Sequence, residues 1–250
     1  MHNDCGDTEK VLQLRQILCV SDLTVIPNIT YNAAYRAQIN ANTRIDPYVL
    51  FAWQRLCEKQ MERDAFIGSF SIEMLRANIT TIKRVMFSDF SKIQEELRKI
   101  FHTCGIGFGV VHHFRGAPVQ GFIKRTDKGR VILCLTIRGK AADRFWFSLF
   151  HEIGHILNGD LDTRFVDFDS IKTASENAAD QFARDALIPP MEYRKLLDSG
   201  TYTSYASIER FSNSIGVPAW IVIGRLHSDE WLDWSVFAKS IPSYQLDEDA

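Results

Sequence analysis

The segment that most constrains the fold of this chain is residues 142–158, which contains the pattern His151-Glu152-Ile153-Gly154-His155. Residues four apart lie on one face of an α-helix, so both imidazoles can reach one metal ion. Glu152 lies about 100° round the helix from His151, where it can face a metal-bound water without being a ligand. Because the segment is apolar almost all round, we expect a buried helix that ends at Gly159 and whose polar side chains have partners.

A catalytic zinc site takes three protein ligands and keeps a fourth position for water. Glu176 stands at the start of the next predicted helix, and Asp180 follows one turn later on the same face. We therefore predict Glu176 as the third ligand, beside His151 and His155, of one Zn²⁺ per chain. Glu152 would then act as the general base, and Asp180 would accept the second ring N–H of a ligand histidine.

Alternatives to this third ligand remain open. Asp160 and Asp162, in the polar loop after the motif, are rival metal ligands. Glu176 would in that case be only a helix-start carboxylate, stabilised by the helix dipole. The metal is also open, because manganese or iron can occupy a His₂Glu site.

Hydrophobic periodicity divides the chain into helical and strand zones. Residues 8–65 and 70–104 have the period of amphipathic helices, with Asp46-Pro47 and Ser71 as helix starts, and the chain after the strands is helical again. Between these helical zones, the spacing of apolar residues predicts short strands at 107–114, 120–125 and 130–137. The turn at 127–129 predicts an antiparallel hairpin from the last two. The predicted fold is α+β and mostly helical, with a small three-stranded antiparallel sheet packed by the motif helix.

Two predicted helices at 204–226, joined by Ser214-Ile-Gly-Val-Pro218, have the outline of a helix-turn-helix. A DNA-reading helix needs basic or amide side chains, but 219–226 is almost entirely apolar, which favours a packed helical pair. Lys+Arg 29 against Asp+Glu 31 gives a net charge of -2, unlike a sequence-independent nucleic-acid binder. We therefore expect no direct nucleic-acid binding.

The cysteines are scattered and odd in number, which argues against a disulfide framework or a cysteine-based zinc site. They are Cys5, Cys19, Cys57, Cys104 and Cys134. Apolar runs such as 131–135 are far too short to span a bilayer, and the first residues lack the basic and apolar regions of a secretory signal. We expect a cytoplasmic protein with free thiols and no membrane partner.

Three stretches of sequence are informative together: 145–155 around the motif, 178–190 with its Phe-Ala-x-x-x-Leu-Ile-Pro ending, and 221–226. They resemble the ImmA/IrrE family of zinc metallopeptidases, and the resemblance extends over about residues 75–235. Residues 8–65 are more weakly similar to the helical segment of members with a DNA-binding module. The chain departs from the family pattern Glu-x-Glu-Ala-Asn at Ala178 and Asp180, and it has Asn158 where the family often has a histidine.

The resemblance implies a zincin-like metallopeptidase domain at residues 69–190, between an N-terminal helical segment at 1–68 and a C-terminal helical subdomain at 191–250. It implies a cytoplasmic zinc metallo-endopeptidase that cleaves a cognate helix-turn-helix repressor and so derepresses genes, in mobile elements, stress responses or toxin–antitoxin-like loci. The DNA-binding module that members often carry is expected on a separate chain or to be missing. Two other interpretations stay open: a non-cleaving regulator that binds a partner protein, and a zinc hydrolase of small peptides.

The donor that stabilises the tetrahedral oxyanion is not identified by spacing. Its candidates are His112, His113, Tyr193, Tyr205, Arg225 and His227. Substrate is expected to add as a further strand to an edge of the strand region at 107–137.

Overall fold

The computed structural model describes residues 6–28, 46–62, 68–112, 119–125, 129–136, 141–161, 165–168 and 174–244. The helices are α1 (Asp7–Leu18), α2 (Pro47–Glu62), α3 (Ile72–Arg84), α4 (Phe90–Thr103), α5 (Ala142–Asn158), α6 (Ala174–Leu187), α7 (Pro190–Ser199), α8 (Tyr205–Ile215) and α9 (Ala219–Ser228). The strands are β1 (Ile106–Val111), β2 (Val119–Arg125), β3 (Val131–Thr136) and β4 (Phe165–Phe168). The predicted α+β, mostly helical fold is confirmed.

Local sequence signals account for several helix ends. The Asp46 carboxylate accepts hydrogen bonds from the backbone N–H groups of Tyr48 (2.9 Å) and Val49 (3.2 Å), which caps α2. The Ser71 hydroxyl caps α3 by accepting from the Met74 N–H at 3.1 Å. Helix α5 ends at Gly159, whose φ of 85° is one that glycine adopts without strain. The predicted starts of α2 and α3 and the predicted end of α5 are confirmed.

The strands form one sheet in the order β1-β3-β2-β4. The antiparallel pairing of β2 with β3 confirms the predicted hairpin. Strand β1, however, pairs parallel with β3, and β4 adds a fourth strand antiparallel to β2, so the prediction of a three-stranded, purely antiparallel sheet is wrong. Alternation of side chains does not distinguish a parallel from an antiparallel partner, and a four-residue strand has too few positions to show a period.

Helices cover both faces of this sheet. On one face, Val131, Leu133 and Leu135 of β3 join the main hydrophobic core, which also contains most of α5. On the other face, the intervening Ile132 and Cys134 belong to a second cluster. That second cluster is completed by α2, which contributes Leu50, Trp53, Cys57 and Met61.

Helix α2 lies against β1 at Gly109, where an added Cβ atom would be 2.4 Å from the Met61 Cε atom. The N-terminal helical segment therefore packs directly on the sheet. The division of the chain at residues 68 and 190 stays a prediction.

Helix α9 packs against α5 and α8. Ile221, Val222 and Leu226 of α9 are buried in the main core, as expected for a packed helical pair. The Trp146 indole N–H of α5 donates to the Tyr244 hydroxyl at 3.0 Å. Within the described ranges, no helix combines the length and the apolar character that crossing a membrane requires.

Candidate metal centre

Helix α5 runs through the core and carries the motif in its second half. His151, Glu152 and His155 are all buried there, with exposed fractions of 4%, 1% and 0%. Ionisable groups are costly to bury unless they are paired or bind a metal. Their burial on one helix therefore indicates a site rather than an incidental arrangement.

Helix α6 brings the third ligand candidate to this site because it packs very closely on α5. An added Cβ atom at Gly154 would be 3.0 Å from the Ala179 Cα atom and 3.1 Å from its carbonyl oxygen. The glycine inside the motif therefore permits the close approach of the two helices. Glu176 lies about one turn before Ala179 on α6, so the same approach places its carboxylate beside the imidazoles.

Three atoms converge between the two helices. The His151 Nε2 and His155 Nε2 atoms are 3.0 Å apart, and the Glu176 Oε2 atom lies 3.1 Å from the first and 3.5 Å from the second. Ligands of a tetrahedral zinc ion, each about 2.0–2.1 Å from the metal, are about 3.3 Å from one another. The observed spacings lie on either side of that value, so the three residues fit such an ion.

The other ring nitrogen of each histidine contacts a carboxylate. The His151 Nδ1 atom is 2.7 Å from Asp180 Oδ1, and the His155 Nδ1 atom is 2.9 Å from Asp160 Oδ2. The Ser175 hydroxyl donates to the same Asp160 oxygen at 2.6 Å. A carboxylate at Nδ1 holds the proton there and leaves Nε2 unprotonated, which is the form that binds a metal.

The structure thus places Asp180 against His151, where the sequence analysis expected a hydrogen-bond acceptor. Asp160, considered there as a rival metal ligand, instead contacts the far side of the His155 ring. The role of Asp160 and Ser175 was missed. The available signal was their position, since Asp160 directly follows the helix stop at Gly159 and Ser175 directly precedes Glu176. Asp162 lies outside the described residues.

Carboxylates give this centre a preference for positive charge. Burial raises the pKa of Glu176, but its hydrogen bonds with His151 and His155 and their charge outweigh that effect and lower it to about 2. Burial lowers the pKa of His155, yet contacts with Glu176 and Asp160 and the charge of Glu152 raise it overall. A site with this electrostatic character suits a divalent cation.

The Glu152 side chain lies against β2, and its charge also acts on the His155 imidazole. An added Cβ atom at Gly121 would be 1.7 Å from Glu152 Oε1 and 2.4 Å from its Cδ atom. The absence of a side chain at position 121 is therefore what makes room for the Glu152 carboxylate beneath the sheet.

The candidates for the oxyanion donor that the structure describes contact residues outside the metal centre. The Tyr193 hydroxyl and the Arg225 guanidinium both donate to Asp229, at 3.0 and 2.6 Å. The His227 Nε2 atom is 2.8 Å from the Val236 carbonyl oxygen. Tyr205 packs its ring against Phe237, His112 is exposed after the end of β1, and His113 lies outside the described residues.

The site combines two buried histidines at positions i and i+4, a glutamate beside the first, and an acidic candidate for the third ligand on the next helix. This combination is that of a metallopeptidase-like domain. In agreement with this, residues 110–222 match the family model Peptidase_M78, described as an IrrE N-terminal-like domain. Residues 110–222 therefore form an IrrE N-terminal-like domain, which is consistent with the resemblance to the ImmA/IrrE family and confirms it over that part of the chain. The matched stretch contains every residue of the metal centre. No curated protein matches the chain significantly.

Proposed function

We propose that this protein is a zinc-dependent endopeptidase that cleaves a cognate regulatory protein of the helix-turn-helix repressor type and thereby derepresses genes. One observation carries the proposal: a buried carboxylate, Glu152, shares a helix with the two imidazoles that converge with Glu176, and its charge acts on His155. A module that only binds a partner has no need for a general base beside a metal site. The family match over residues 110–222 supports peptidase chemistry.

The ligand set would be His151, His155 and Glu176. Zinc, when bound, would polarise the scissile carbonyl and lower the pKa of a water to about 7. The Glu152 carboxylate takes a proton from the attacking water and returns it to the leaving amine nitrogen. The carboxylates on the Nδ1 atoms hold both imidazoles in one tautomer throughout, so that their Nε2 atoms do not change partners during the reaction.

The repressor-type substrate and the cytoplasmic location come from the family resemblance. The cysteines support a reducing compartment, because Cys57, Cys104 and Cys134 are buried free thiols. Cys57 and Cys134 hydrogen-bond to one another in the cluster under α2 without forming a disulfide.

The test uses the zinc-loaded protein and a purified helix-turn-helix repressor encoded beside its gene. We expect the wild type to cleave the repressor at a defined bond and Glu152→Gln to retain zinc but lose cleavage by about 10²-fold or more, since it removes proton transfer. Glu192→Gln is the matched control and should cleave normally, because Glu192 is a partly exposed residue of α7 that pairs with Lys195 at 2.7 Å. A wild-type protein that holds zinc and binds the repressor without cutting it would instead indicate the non-cleaving regulator.

A further inference from the structure

Strand β4 covers an edge of the sheet that lies beside the general base. In the order β1-β3-β2-β4, strand β4 takes the outer side of β2. Strand β2 contacts Glu152 through Gly121. The backbone edge closest to the catalytic carboxylate is therefore already paired with another part of the same chain.

The pairing of β2 with β4 is interrupted at the contact with Glu152. Val119 pairs with Phe168 and Phe122 pairs with Val166, so β2 advances three residues where β4 advances two. The extra residue of this bulge is Gln120 or Gly121. Val119 and Phe122 both lie in the cluster under α2, although residues three apart in a regular strand face opposite sides. Such bulges are frequent beside active sites, where they redirect the backbone.

The segment that contains β4 starts and ends at the metal centre. In the sequence, β4 lies between Asp160 and Ser175. These two residues are joined by a hydrogen bond of 2.6 Å from the Ser175 hydroxyl to the Asp160 carboxylate. The same two side chains contact the Nδ1 atom of His155, at 2.9 and 3.3 Å. The two residues that flank the β4 segment therefore both contact His155, the second predicted ligand histidine.

The metal centre is closed in this arrangement. None of His151, Glu152, His155 and Glu176 exposes more than 9% of its surface. An endopeptidase must bring an extended peptide to its metal and its base, and extended peptides bind by adding a strand to a free sheet edge. The edge of β2 suits that role by position, but β4 occupies it.

We propose that β4 is an autoinhibitory strand, which holds the edge of β2 until an extended segment of the substrate protein displaces it. This inference rests on the proposed endopeptidase function. Strand β4 has four residues and lies at a sheet edge, so its opening costs little compared with unfolding the domain. Exchange of one strand for another replaces the backbone hydrogen bonds one for one, which keeps the step reversible.

The experiment compares two variants of strand β4. The strand-breaking variant is Phe165→Gly/Val166→Ser/Asp167→Gly/Phe168→Ser, and the strand-preserving control is Phe165→Val/Val166→Ile/Phe168→Val, which keeps residues that favour strands. For each zinc-loaded protein we would measure zinc content, kcat/KM on an internally quenched peptide, and the association rate of a peptide hydroxamate. The hydroxamate binds the metal site without turnover.

We expect the strand-breaking variant to keep its zinc and to raise both kcat/KM and the hydroxamate association rate by about tenfold or more. The control should stay within about twofold of the wild type. An unchanged or slower association rate would overturn the inference, and so would loss of zinc, since β4 would then be part of the metal centre. Faster hydroxamate binding without cleavage by any form would support the autoinhibitory strand and reject the peptidase.

Discussion

Gly121 and Glu152 are in such close contact that a Cβ atom at position 121 would lie 1.7 Å from the Glu152 Oε1 atom. The carboxylate proposed as general base is thus positioned by the backbone of a strand and not only by its own helix. Gly121→Ala is expected to displace Glu152 and to reduce kcat by about tenfold or more, since general-base catalysis depends on placement within hydrogen-bond reach. Zinc content should stay at the wild-type level.

Gly68→Ala is the matched control for this variant, because an added Cβ atom there would approach nothing closer than 3.9 Å. Steady-state kinetics on one peptide and metal analysis on the same samples decide the outcome. Wild-type kcat in Gly121→Ala would show that Glu152 acts from another position than the one described.

Gly154 is expected to control the position of the third ligand. Alanine at this position would be 3.0 Å from the Ala179 Cα atom, so α6 must move away from α5. We expect Gly154→Ala to weaken zinc affinity by about tenfold and to reduce stability by about 1–3 kcal/mol, the usual cost of overpacking. Alanine also favours helix by about 1 kcal/mol, which offsets part of the stability loss but not the loss of affinity.

Zinc competition against a chelating dye and urea denaturation of the metal-free protein measure these two effects separately. Unchanged zinc affinity in Gly154→Ala would mean that the spacing of α5 and α6 does not set the position of Glu176.

The carboxylates on the far sides of the imidazoles are expected to matter for metal binding. Replacement of Asp180 or Asp160 by alanine removes the acceptor for one Nδ1 proton, and such losses weaken metal affinity by about 10–100-fold. Asp185→Ala is the control, because Asp185 is on the same helix as Asp180 and its carboxylate accepts a hydrogen bond from the Gln181 side-chain amide at 2.8 Å. Equal zinc affinity in all three variants would contradict this role.

The features of this centre that depend on residues close in sequence could be predicted, and those that depend on residues far apart in sequence could not. The motif helix was predicted at 142–158 and is observed as Ala142–Asn158, because its ends follow from local signals. Spacing along two helices also led to Glu176 and Asp180. The partner of β1, the pairing of β4 and the room at Gly121 depend on contacts between distant segments, which neither periodicity nor propensity encodes.

The cluster around Asp229 gives a prediction about acid stability. Burial raises the pKa of Asp229, but hydrogen bonds from Arg225 and Arg184 outweigh it and lower the pKa in the folded protein. A lowered folded-state pKa means that the stabilisation is present above the unfolded-state pKa, near 4, and is lost as the pH falls below it. The stability of the wild type should therefore decline between about pH 5 and pH 3.

Asp229→Asn is expected to reduce stability by about 1–3 kcal/mol at pH 7 through the loss of charge-assisted hydrogen bonds. The difference from the wild type should shrink as the pH falls, because the wild-type carboxylate becomes neutral as well. Urea denaturation curves from pH 7 to pH 3 measure both effects. A difference that does not depend on pH would show that Asp229 stabilises by packing and not by its charge.

The central claim is that His151, His155 and Glu176 together bind one metal ion, and the zinc content of purified protein tests it most directly. We predict about one zinc per chain in the wild type and in Glu152→Gln, and loss of zinc from Glu176→Ala, since a catalytic zinc site requires its three protein ligands. Wild-type protein without bound metal, or Glu176→Ala that retains a full equivalent of zinc, would contradict the account.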